Sequence, residues 1–247
     1  MSRASYLVIA IITFTIAIIV MAPASIMTGL FGDDVQRSIP GLKIGATQGR
    51  IWQGSTQVQY QRLPPVTVSW EVVNLSLLNG KVSSLVELTG DGLQLELGAI
   101  ASASGGSLDN LNGTIESRFI NAISVDYGLD LAGSFELSGI HASFDQHWLT
   151  ALKGETSWSG GIVHIETPEQ FYSVKLPALT GRLTVKGSNA MLDIASGTST
   201  LLTLSLKQDG WSQTSVSYRL MDMAGLPLPN GYQDTTGPAF VLEEKVF

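Results

Sequence analysis

Apolar and polar residues alternate along this chain in two regimes. From Tyr6 to Val20 the sequence is apolar apart from two threonines and carries no charge, and the apolar stretch continues to Ile26. Beyond it, apolar residues come in short runs at every second position: Val66-Thr-Val68-Ser-Trp70-Glu-Val72, Leu93-Gln-Leu95-Glu-Leu97, Leu129-Asp-Leu131, Leu183-Thr-Val185, Leu202-Thr-Leu204-Ser-Leu206 and Val216-Ser-Tyr218-Arg-Leu220. Side chains two apart on a strand share a face, so each run predicts a strand with one apolar and one wetted face. Asn79-Gly80, Asp91-Gly92, Asn112-Gly113 and Asp209-Gly210 supply the pairs that tight hairpins favour. Helix is scarce. The best soluble window is Phe144–Leu152, where Phe144, Trp148 and Leu152 recur at helical spacing. The predicted fold class is mainly β, antiparallel, with little soluble helix.

The first regime has the length of a membrane span. A helix needs about twenty apolar residues to cross about 30 Å of hydrocarbon, and Leu7 to Ile26 supplies them. Thr13 and Thr15 can return their hydroxyls to helix carbonyls. Arg3 precedes the run and Asp33-Asp34 follow it, which predicts a cytoplasmic N-terminus and an exported remainder. Cleavage as a signal peptide is the competing expectation, with Ala22-Pro23-Ala24 as a small-residue processing site. The run exceeds the usual signal core of about 7 to 15 residues, so a retained single-pass anchor is favoured. The expected organisation is a start and signal-anchor over 1–32 and a β domain over 33–247. From about residue 223 a Pro/Gly-rich segment is expected to run extended, pinned by Phe240-Val-Leu242.

Charge and composition narrow the chemistry. The chain carries a net charge of −7; thirteen of its fourteen basic residues and all twenty-one acidic ones lie beyond residue 32, a net of minus eight for that part. Phosphate binding relies on basic patches, so a nucleic-acid partner is not expected. With no cysteine, disulfides and thiolate metal sites are excluded. His141, Asp145 and His147 share strand parity, yet an ideal strand sets the two histidines about 20 Å apart, too far for one ion. His164 is expected to face solvent or a hydroxyl. No Gly-x-Ser-x-Gly occurs. No catalytic, cofactor-binding or metal-ligating residue is assigned, and a metal-dependent hydrolase built on His141 or His147 is the weakest alternative. A closed outer-membrane barrel needs strands of about nine to eleven residues and aromatic girdles, whereas these alternating runs are mostly five to seven residues and aromatics are 8%.

Two sequence motifs remain. The triplet Leu-x-Gly recurs at Leu78-Asn-Gly80, Leu88-Thr-Gly90, Leu111-Asn-Gly113, Leu131-Ala-Gly133, Leu137-Ser-Gly139, Leu152-Lys-Gly154 and Leu179-Thr-Gly181, each expected to end one strand and turn into the next. Tryptophans sit in Gly49-Arg-Ile-Trp52-Gln-Gly54, in Val-Ser-Trp70 after Leu63-Pro-Pro65, and in Gly154-Glu-Thr-Ser-Trp158-Ser-Gly160-Gly161. Packing is their favoured role, because an inward Trp buries about 150 Å² or more beside glycines that admit neighbouring backbone. The alternative is that Trp52, Trp70 and Trp158, with Gly49, Gly54, Gly154, Gly160 and Gly161, line an apolar groove for a lipid or a partner strand.

The order of these parts resembles the type II secretion system protein N family, which is similar in turn to AsmA-like proteins. That resemblance implies an open, curled antiparallel sheet behind an inner-membrane segment. It also implies a non-enzymatic accessory role in exporting folded proteins from the periplasm across the outer membrane. The implied partners are the inner membrane and other type II secretion components. The AsmA-like side of the resemblance implies instead a periplasmic carrier of lipid or another hydrophobic ligand.

Overall fold

The computed structural model describes Phe14 and residues 21–76, 80–166, 170–225 and 238–246. Of the expected span Leu7–Ile26, only Phe14 and residues 21–26 fall inside this set, and Leu78 and Asn79 of the Leu78-Asn-Gly80 triplet and most of the Pro/Gly-rich segment fall outside it. Among the described residues no helix is long and apolar enough to cross a membrane.

The elements in chain order are α1 (Ser25–Ser38), β1 (Leu42–Arg50), β2 (Gln53–Tyr60), β3 (Val66–Ser76), β4 (Lys81–Gly90), β5 (Leu93–Ser102), β6 (Gly105–Glu116), α2 (Ser117–Ser124), β7 (Leu129–Leu131), β8 (Ser134–Asp145) and β9 (Leu149–Trp158). They continue with β10 (Gly161–Glu166), β11 (Phe171–Leu176), β12 (Leu179–Lys186), β13 (Asn189–Ser196), β14 (Ser199–Leu206), β15 (Trp211–Ser217), α3 (Tyr218–Met223) and β16 (Pro238–Lys245). Thirteen strands form one antiparallel sheet in the order β1-β2-β3-β4-β5-β6-β8-β9-β12-β13-β14-β15-β16. The remaining three form a small sheet, β11-β10-β7. The large sheet therefore ends in two different strands and is open.

Register shows why the alternation matters. Val58, Val66, Gly90, Leu93, Ile115, Phe135, Trp158 and Leu179 lie opposite one another in successive strands, and residues directly opposite share a face. Leu183, Leu192, Leu204, Thr214 and Leu242 continue the same face toward β16. The other face carries Ser69, Glu87, Glu96 and Asn112, then Arg182, Asp193 and Thr203. A single sheet thus divides apolar from polar over its whole width.

Small elements cover parts of the apolar face. Phe119 of α2 packs with Val66 and Leu93 against Leu63, Val68, Leu88, Leu95 and Ile115. At the far end α3 buries Tyr218 and Met221, and α1 packs against β1. Leu152, Leu183, Leu192, Leu204 and Leu206 stay only half-buried.

Several expectations are corrected. Phe144–Leu152 is a hairpin, not a helix: β8 ends at Asp145, whose carboxylate accepts the N–H groups of His147 at 2.7 Å and Trp148 at 2.8 Å, a local turn that competes with helix. The Val216–Leu220 run leaves the ladder at Ser217, whose hydroxyl accepts the Leu220 N–H and caps α3. The Pro/Gly-rich segment from about 223 is preceded by this helix, and Pro238 is the first residue of β16, where a missing donor is tolerated. Strands reach twelve residues because Ser, Thr and Gly carry the ladder past each apolar run. Asn112-Gly113 is not a turn, and most Leu-x-Gly triplets do not end strands. Leu111-Asn-Gly113, Leu137-Ser-Gly139, Leu152-Lys-Gly154 and Leu179-Thr-Gly181 lie within β6, β8, β9 and β12. Their glycines mark irregularity and close approach: a Cβ on Gly154 would lie 2.6 Å from Ile140 Cγ1. Leu88-Thr-Gly90 does close β4 as expected.

Candidate functional site

The first tryptophan motif folds into a socket at the β1–β2 hairpin. Gly49 and Gly54 face each other across it, and Gly54 in turn faces Trp70 on β3. The Trp70 ring occupies the space that a side chain at 54 would need, since a Cβ there would fall 2.7 Å from Trp70 Cζ2 and 2.6 Å from the Gln48 carbonyl oxygen. Trp70 Nε1 donates to Ile51 O at 3.1 Å, and Trp52 O accepts the Val72 N–H at 2.7 Å. On the outer side of the hairpin the chain just before α1 is stitched in. Ala24 N–H donates to Gly49 O at 3.0 Å, Ile51 N–H to Ala22 O at 3.1 Å, and Pro23 bridges Arg50. Ala24 is fully buried. The glycines serve two neighbours at once, an indole on one side and a crossing chain on the other.

The second motif marks where the chain leaves the large sheet. Trp158 ends β9 buried, donates Nε1 to Ala132 O at 2.9 Å and stacks on Phe135 with centroids 6.2 Å apart. Ser159 holds Ser134 by two hydrogen bonds of 2.9 Å. Gly160, with φ of 78°, then turns the chain into β10, and Gly161 pairs with Leu176. The structure therefore brings Gly49, Trp52, Gly54 and Trp70 together, and Trp158, Gly160 and Gly161 together, while Gly154 lies apart on β9 against Ile140. The two groups do not meet: β3 and β9 are five strand spacings apart, about 24 Å.

Concavities lie on both faces of the large sheet. Beneath α1, Ala24, Thr28, Gly32 and Val35 face Ile44, Val58, Trp70 and Val72 across a cavity of about 370 Å3 lined almost wholly by carbon. Sequence reasoning missed this site; its signal was the small residues Ala24, Thr28 and Gly32 at four-residue spacing, hidden at the end of the apolar run. Leu152, Leu183, Leu192 and Leu204 line a second apolar hollow of about 290 Å3 near β16. On the polar face Ser69, Glu71, Glu87, Glu96 and Asn110 line a cleft of about 850 Å3.

The histidines are dispersed. His141 Nδ1 lies 3.1 Å from Asp109 Oδ1, His147 Nδ1 lies 3.9 Å from Asp145, and His164 stacks on Phe171 with centroids 5.3 Å apart. His164 is half-buried, and its Nδ1 meets neither solvent nor a hydroxyl, being buried without a hydrogen-bond partner. Among the described residues no three His, Asp or Glu side chains converge on a point that could hold a metal ion. The N–H groups of Trp148 and His147 hold the Asp145 carboxyl below its ordinary value.

A family model for type II secretion system protein N matches residues 40–227. The chain belongs to that family. No curated protein and no solved structure matches it. In the protein N family match, the span opens just before β1 and closes just past α3, so it holds both tryptophan groups and leaves α1 and β16 outside. Membership makes the chain a component of the type II secretion system, a family of accessory secretion parts, and implies interaction with other components of that apparatus.

Proposed function

We propose that this chain acts without chemistry of its own, as a scaffold of the type II secretion system tethered to the inner membrane, with its β domain in the periplasm. Its task on this reading is to help assemble or stabilise the apparatus that carries folded proteins from the periplasm across the outer membrane. The observation that carries the reading is the open thirteen-stranded sheet, in a family whose members are secretion parts. Such a sheet offers long edges and an incompletely covered apolar face, the surfaces by which β proteins add partners. The tether reading draws support from residues 22–24, which are hydrogen-bonded into the hairpin socket and would hold the domain directly against an anchor formed by the apolar residues before Ala22, a shorter span than the expected Leu7–Ile26.

Removing the chain from a secreting cell tests this directly. Cargo proteins should accumulate in the periplasm, and the full chain supplied in trans should restore their release. Unimpaired release would overturn the reading.

A second reading, an AsmA-like carrier of lipid or another hydrophobic ligand, is favoured by the carbon-lined cavity of about 370 Å3 beneath α1. Native mass spectrometry of the detergent-extracted chain separates the two: stoichiometric lipid supports the carrier, and a lipid-free chain counts against it.

A further inference from the structure

Edge strands decide where a sheet can take on another polypeptide, because an edge presents a row of unpaired N–H and C=O groups. Two sheets give four edges here, and they are not alike. β1 is occupied near Arg50 by residues 22–24, is bulged between Ile44 and Thr47, and lies against α1; bulges and covering segments blunt an edge. β7 is three residues long, and the Asn121 amide occupies it as a strand would, donating to Leu131 O at 2.9 Å and accepting the Leu131 N–H at 3.0 Å. β11 is six residues to the eight of β16, and it closes a sheet of only three strands.

β16 is different. It runs without a bulge along β15 from Lys245 opposite Trp211 to Phe240 opposite Val216, and among the described residues nothing pairs with its other side. Val246 donates its N–H to Gly210 O at 2.8 Å. Strand alternation then turns the main-chain groups of Glu244, Leu242 and Phe240 toward β15 and those of Lys245, Glu243 and Val241 outward. Side chains along the edge are apolar and accessible: Phe240, Val241 and Leu242 are 39, 43 and 60% exposed.

We infer that β16 is the docking strand of this chain, and that an extended segment of another secretion-apparatus protein, with apolar residues opposite Phe240, Val241 and Leu242 and lysine or arginine opposite Glu243 and Glu244, pairs along its outer edge. The inference rests on the reading of the chain as a type II secretion component. Phe240 and Leu242 share the apolar face with Val216 and Thr214, so incoming apolar side chains continue rows that already cross the sheet. Glu243 and Glu244, with Lys245 beside them, leave the open end net negative, which favours cations opposite the two carboxylates and disfavours an acidic segment. A second copy fits worse, because in the two longest registers that strand parity allows Glu243 lies opposite Ala239 or Val241 and Glu244 opposite Pro238 or Phe240, so neither carboxylate meets a cation. Main-chain bonds supply the affinity of such strand addition, and the alternate side chains choose the partner. β16 lies beyond the residues matched by the family, so the edge is read from this chain alone.

The test places the photo-crosslinking residue p-benzoylphenylalanine at Val241 of the full chain in secreting cells and sequences the adduct. A segment of another secretion component with adjoining apolar and basic residues is expected. In parallel, Val241→Pro removes one outward N–H while leaving the ladder to β15 intact; a severalfold drop in cargo release at an unchanged melting temperature is expected. Glu243→Lys combined with Glu244→Lys carries the same expectation and serves where Val241→Pro does not fold. No adduct, an adduct to lipid, to a second copy or to an acidic segment, or full release by the folded variants overturns the docking strand. Removal of the whole chain without loss of release defeats the parent reading instead, whereas a defect on removal with fully active edge variants defeats β16 alone.

Discussion

The Trp70 indole donates its Nε1 proton to the main-chain oxygen of Ile51 at 3.1 Å, tying the third strand to the turn that joins the first two. The bond exists because Gly54 leaves the ring its place. Gly54→Ala sets a methyl 2.7 Å from Trp70 Cζ2 and 2.6 Å from the Gln48 carbonyl, and overpacking of this kind costs about 1–3 kcal/mol. Denaturant melts of the single and paired variants check it. Trp70→Leu introduced with Gly54→Ala should cost less than the two separate losses added together, since the contact is shared. Strict additivity would mean that the ring and the glycine are not coupled.

Trp158 offers a cleaner separation of hydrogen bonding from burial. Trp158→Phe keeps an aromatic ring over Phe135 but gives up the bond to Ala132 O, an expected loss of about 1 kcal/mol. Trp158→Ala removes the buried ring as well and should cost about 3–5 kcal/mol. Thermal or urea unfolding of both variants measures the difference. Equal losses would show that the ring contributes nothing beyond its N–H.

Much of this architecture was legible in period-two runs, because a one-sided sheet writes its faces directly into alternate positions. Val66–Val72 and Leu202–Leu206 became β3 and β14 for that reason. The failures have local causes. Phe144, Trp148 and Leu152 imitate helical spacing, yet the Asp145 carboxylate turns the chain before a helix can start. Leu-x-Gly looked like strand ends because glycine serves turns and close approach equally well, and only the neighbour decides; Gly154 faces Ile140, not a turn. Packing was the favoured role for the tryptophans, and Trp158 is buried against Phe135. Their division into two groups about 24 Å apart depends on strand order, which no motif spacing encodes. The cavity beneath α1 was hidden by the same apolarity that marked the neighbouring residues for a membrane.

Asp145 gives the β8–β9 turn a pH dependence. The N–H groups of Trp148 and then His147 stabilise its carboxylate and lower its folded pKa. Its contribution to the turn is therefore fully present above the carboxylate's ordinary range, and it fades as pH falls through that range and through the lowered folded value. Amide exchange at His147 and Trp148 should stay slow near neutrality and quicken, relative to intrinsic rates, on acidification. Asp145→Asn should flatten that profile. An unchanged acid profile in the variant would assign the effect to another group.

Residues 22–24 carry the final prediction. Cleavage after Ala24 would separate Ala22 and Pro23 from the hairpin, leave Ile51 N–H without its acceptor, and turn Ala24 from an interior residue into a lost one. Its own N–H to Gly49 O would go with it. Two main-chain bonds at about 0.5–1.5 kcal/mol each put the cost near 1–3 kcal/mol, before the emptied position of Ala24 is counted. A chain begun at Ser25 should therefore melt lower than one begun at Met21, with the loss concentrated in faster amide exchange at Ile51. In cells, the same bonds withhold Ala22-Pro23-Ala24 from a protease that requires an extended substrate once the β1–β2 hairpin has closed around it. Intact mass of the chain recovered from membranes should then include the N-terminal run. A mature N-terminus at Ser25 would show that processing outruns folding of the hairpin, and the tether would be lost.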